Sequence, residues 1–128
     1  MPIEPATAFQ LFDKALAIVG LIREQKKRRD DKTDEALKCL HAALAETKMY
    51  LLELKDGAPR DVHRQFRIAG LWNNASIPLR HIDLAFAERC QIKGSYWQAV
   101  NEWDEAALEG FGIKVYQMAE STRQLLAS

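Results

Sequence analysis

Three glutamates, Glu102, Glu105 and Glu109, recur at i, i+3 and i+7, a spacing that puts their carboxylates on one side of a helix. Asp83 and Glu88 lie upstream. If a neighbouring helix brought them opposite, the group could hold Mg²⁺ and process a nucleotide, as some all-α enzymes do with acidic groups on adjacent helices. The paired EExxE and ExxD pattern of such enzymes is not matched. Acidic residues in a first helical turn also have a simpler use, because they oppose the helix dipole favourably and need no metal.

The other titratable residues argue against catalysis. Dimetal helical bundles present Glu-x-x-His from facing helices, and that tetrapeptide does not occur. His63 and His81 are 18 residues apart, about 27 Å along a straight helix, too far to share an ion. His41 has no acidic residue three or four positions away. Cys39 and Cys90 form neither a CxxC pair nor a metal-ligand spacing, so both read as small apolar residues in a reducing compartment. No cofactor or metal site is expected.

Basic residues cluster twice, as "KKRR" at 26–29 and as Arg60, His63, Arg64 and Arg67. The antiparallel helices expected here would put these clusters at opposite ends of the molecule. Acidic residues lie beside each, and Lys plus Arg equals Asp plus Glu at 18 each. No field therefore draws nucleic acid or an anionic membrane.

Binding, rather than catalysis, is where the remaining side chains point. Tyr96, Trp97 and Trp103 crowd one aromatic connection, and Trp72 stands beside the polar run "NNAS". The first use of such rings is to plug the end of the bundle, and the other is to anchor a partner or ligand. Asn73, Asn74, Arg80 and Asp83 complete a candidate polar notch around Pro78, with Arg80 and Asp83 spaced to pair on a helix.

Helical elements must carry all of these residues. Thr7 and Gln10 suit a capping box ahead of Phe9, Phe12, Leu16 and Val19, which recur at steps of three and four. A second helix carries Leu37, Leu40, Leu44, Thr47, Leu51 and Leu54, and stops at "DGAP", where Gly57 suits a left-handed cap. Residues 59–92 are helical in composition, but one unbroken helix would span roughly 50 Å. Asn73, Asn74, Ser76 and Pro78 predict a kink or split at 73–78. A last helix carries Leu108, Phe111, Val115, Met118, Thr122 and Leu125, and tolerates Gly110 and Gly112 if another backbone packs there.

Length and composition agree with that pattern. A chain of 128 residues, 48% hydrophobic with six glycines and four prolines, is sized for one helical domain. Its longest apolar run, "ALAIVGLI", is shorter than the ~18 residues a membrane span requires. The sequence therefore predicts an all-α, single-domain, up-down-up-down four-helix bundle over residues 1–128, with the third helix kinked or split near Pro78. Leu11, Ile18, Ile22, Ile113 and Leu126 are apolar positions beyond the core stripes. They point to a homodimer; with the two cysteines reading as reduced, the expectation is a cytoplasmic, non-enzymatic interaction or regulatory protein whose partner is another protein or a second copy. No nucleic-acid or membrane partner is expected. The alternative is a small-molecule-binding or Mg-dependent nucleotide-processing all-α enzyme using the acidic side of the third and fourth helices.

Overall fold

The computed structural model describes residues 31–90 and 105–127, together with Asp13, Leu16, Ala17, Val19 and Gly20. The structure is all-helical and packed: α1 (Asp31–Lys55), α2 (Val62–Leu79), the short α3 (Leu84–Arg89) and α4 (Glu105–Ala127). Both α2 and α4 pack on α1, so α1 is the helix that joins the two interfaces.

The sequence pattern of α1 explains that position. Leu37, Leu40, Leu44, Thr47 and Leu51 are buried, and Leu54 packs against them. Ala36, Ala43 and Tyr50, at steps of seven, add a second buried column beside this stripe. The buried face is therefore wide enough for two neighbours. Asp31 and Asp34 stand in the first turn and Lys55 in the last, each favourable for the helix dipole.

Gly57 ends α1 as its composition predicts. Its φ of 93° lets the Gly57 N–H reach the Leu54 carbonyl at 3.1 Å and the Ala58 N–H reach the Glu53 carbonyl at 2.9 Å. The two bonds satisfy carbonyls that the last turn would otherwise leave bare. The chain then reverses, and α2 begins at Val62 rather than at Pro59. Asp61 caps it, its carboxylate accepting the Arg64 N–H at 3.1 Å. Contacts run in opposite directions along the two helices, Tyr50 with Gln65 and Thr47 with Trp72, so α1 and α2 are antiparallel.

The expected break at 73–78 moves. Residues 73–78 are helical, and Pro78 lies inside the last turn of α2. The chain leaves the helix at Arg80, through a turn closed by the Arg80, His81 and Ile82 N–H groups on the Ile77, Pro78 and Leu79 carbonyls. Proline removes its own N–H from the i→i−4 ladder and restrains Ile77, and the helix ends one residue later, at Leu79. The carbonyl released there is that of Asn74, an exposed residue. Ser76 turns its hydroxyl back to the Asn73 carbonyl at 2.6 Å. The residues expected to break the helix thus complete its last turns, and the split falls at 80–83, ahead of α3.

In α4, Phe111, Val115, Met118, Thr122 and Leu125 are buried in the spacing expected. A methyl group placed at Gly112 would meet nothing within 4 Å beyond its own helix, so among the described residues no second backbone packs closely there. Near the N-terminus the helical Val19 is buried in the same core, Leu16 packs against it, and Asp13 accepts a bond from Lys114 of α4. Three long helices and one short one are seen among the described residues, where four long ones were expected, because α2 ends at Leu79 and little of residues 1–30 is described. Thr7, Gln10, Leu11, Ile18, Ile22 and the 26–29 cluster lie outside the described residues. Also among the described residues, no helix is long and apolar enough to cross a membrane.

Candidate interaction surface

Of the residues expected to line a polar notch, Trp72 is enclosed in the core. Trp72 is 1% exposed, and its indole N–H donates to the Thr47 hydroxyl at 3.0 Å inside the α1–α2 interface. Ile68, Trp72, Ala75 and Leu79 recur at steps of four, three and four and place Trp72 on the core side. Asn73 and Asn74 are exposed and follow on the outer side of the same helix. Arg80 is exposed at the turn and Asp83 is half-buried ahead of α3. Tyr96, Trp97, Trp103 and Glu102 lie outside the described residues.

The acidic candidates disperse as well. Glu88 and Glu109 are exposed, on α3 and α4 respectively, and Glu105 opens α4. Among the described residues, no three His, Cys, Asp or Glu side chains gather where they could hold a metal ion. His63 and His81 are exposed and His41 half-buried. Burial pushes the Cys90 thiol up to about 12, and burial aided by the Glu35 charge raises Cys39. Neither is an activated thiolate.

Arg64 leaves the predicted basic cluster. It turns toward α1, where its guanidinium meets Glu46 at 3.3 Å and Glu53, and lies 5.7 Å from the Tyr50 ring centre. Tyr50 is itself held: its hydroxyl accepts from Gln65 Nε2 at 2.8 Å and from the Asp61 N–H at 3.2 Å. These contacts fasten the start of α2 to the end of α1. Arg60, His63 and Arg67 remain exposed. On the other flank of α1, Lys48 sits 4.2 Å from the Tyr116 ring centre. Close by, a hydrogen bond from Arg123 holds the exposed Glu120 carboxyl below its ordinary range.

With its core side committed to α1, α2 turns a second apolar edge to solvent. Val62, Phe66 and Ile77 are 56%, 69% and 59% exposed. Together with Asn73 and with Ala69, which is half-buried against the core, they follow steps of four, three, four and four, and so share one side of the helix. Arg67, His63 and Asn74 run alongside on the outer face. Sequence reasoning passed over this edge because the polar residues at 73–76 drew the attention to a break; the spacing of Val62, Phe66 and Ile77 was the signal. A smaller exposed pair, Ile113 and Tyr116, lies on α4, and Met49 and Leu52 on α1. Of the other apolar positions expected to be uncovered, Leu126 packs against the core.

Apolar side chains in a row, flanked by arginines, are suited to burial against another apolar surface. No family model, no curated protein and no solved structure matches the chain.

Proposed function

We propose that this chain is a non-enzymatic, protein-binding helical module whose docking surface is the outward edge of α2. The observation that supports the reading is the exposed row Val62, Phe66 and Ile77 on a helix whose adjoining side is buried in the core. A helix face of this kind engages a partner through apolar anchors at helical spacing. Phe66, the most exposed of the three, is the natural anchor. The reading takes the N-terminal helical residues as part of a fourth long helix that completes an up-down-up-down bundle, supported by Val19 in the core and by Asp13 on Lys114. It places the protein in a reducing compartment such as the cytoplasm, supported by two cysteines that stand as free thiols.

The test is a photo-crosslinking residue at position 66, with position 109 of α4 as control, in the cell that makes the protein. Discrete adducts from position 66 alone support the reading. A folded protein that forms no adduct there, neither with another protein nor with itself, overturns it. The enzyme alternative has its own arm: a melting temperature raised by Mg²⁺ with a nucleotide, but by neither alone, would favour it.

A further inference from the structure

We infer that the partner of the α2 edge is a second copy of this chain, docked through a two-fold axis at Ala69 and Gly70; the inference rests on the proposed docking role of α2. Gly70 is the first observation. Glycine in mid-helix is unfavourable, and nothing among the described residues requires it here, because a methyl group at Gly70 would meet none of their atoms within 4 Å beyond its own helix. A small residue facing open space has a use when another helix crosses there. Helix axes pack 8–10 Å apart depending on the side chains at the contact, and Gly with Ala permits the closer approach.

The second observation is the symmetry of the row. Its midpoint, between Val62 and Ile77, falls at Ala69–Gly70. Turning one α2 end over end about that point brings Val62 against Ile77 of the other copy and Phe66 against the other Asn73. Bulk at both ends and a dip at the centre make the edge complementary to itself, as a two-fold contact requires. The same operation brings Asp61, just before α2, toward Arg80, just after it, in the other copy. Both are exposed, so opposite charges approach at each end. The 18 charges of each sign give copies of the chain no long-range repulsion.

The rival surface on α4 is weaker ground for self-docking. The exposed large apolar residues described on it run from Ile113 to Tyr116, and Lys48 already covers one face of the Tyr116 ring. A single helix pair of the length of α2 buries less than the ~800 Å² per partner of a standard interface. The dimer is therefore expected to be a weak, concentration-dependent one.

Sedimentation equilibrium of the full chain from about 5 µM to 1 mM tests this. The mass is expected to rise from 14.6 kDa toward twice that value with concentration. Phe66→Asp, and separately Gly70→Leu, should each raise the dissociation constant more than tenfold with the helical circular dichroism retained. Ile113→Asp should leave it unchanged. A monomer throughout overturns the inference, as does a dimer that survives both α2 variants or is broken by Ile113→Asp. Crosslinks from position 66 to other proteins, without self-adducts, would overturn self-docking and leave α2 as a docking surface. The absence of both sinks the two readings together.

Discussion

The Trp72 indole donates to the Thr47 hydroxyl at 3.0 Å, and that hydroxyl donates to the Ala43 carbonyl at 2.7 Å. One threonine thus accepts from α2 and donates within α1, at the centre of their interface. Thr47→Val keeps the shape and removes the acceptor. It is expected to cost about 1–3 kcal/mol, read as a lower denaturant midpoint at constant slope. Trp72→Ala should cost about 3–5 kcal/mol by emptying a buried site. A Thr47→Val change with no effect would mean the hydroxyl is dispensable.

The Tyr50 hydroxyl accepts two bonds where the chain re-enters the fold, from Gln65 and from the Asp61 backbone. Tyr50→Phe should therefore lower stability by about 1–3 kcal/mol. Because Gln65 shares the bond, Gln65→Leu on top of Tyr50→Phe should cost less than it does in the wild type. Strict additivity of the two changes would refute the coupling.

Burial of Cys90 sets a pH dependence. Its folded thiol titrates at about 12, above the 9.0 of an exposed cysteine. The neutral form is favoured by folding, so this contribution is intact below about pH 9 and is lost as pH rises from there toward 12. Cys90→Ala should flatten that part of the stability profile. At pH 8 an alkylating reagent should modify Cys39, which is only half-buried, well before Cys90. Equal labelling rates in the folded protein would contradict the burial.

Gly70→Ala separates the helix from the interface. At concentrations where the chain is monomeric, it should raise stability by about 0.5–1 kcal/mol, since alanine is the better helix former and the added methyl meets nothing. A destabilised monomer would show that the fold itself needs the glycine.

What could be read from the sequence follows from how each element is buried. The stripes Leu37–Leu54 and Phe111–Leu125 face one way throughout, and single-sided burial leaves a clean helical period. Gly57 was equally legible, because a positive φ admits few other residues. Trp72 was harder to place. Its core spacing with Ile68, Ala75 and Leu79 was present, but Asn73 and Asn74 beside it read as a break. Pro78 misled for a related reason: it marks a nearby helix end, and the end falls just after it, at Leu79, rather than before it. Tyr50 went unnoticed because Ala36 and Ala43, its partners at seven-residue steps, look unremarkable until a second neighbour packs on α1. The apolar edge of α2 was present in the sequence, yet exposure is a property of packing and no single helix displays it.

Helix α1 touches both α2 and α4, and this has a kinetic consequence. The α1–α2 hairpin is joined by a few residues, so its contacts close small loops and can form early; α4 must then find a surface already half built. Opening either outer helix leaves α1 supported on its other flank. The amide protons of α1 should therefore exchange with solvent only when the whole domain unfolds, while those of the six-residue α3 exchange through local fraying.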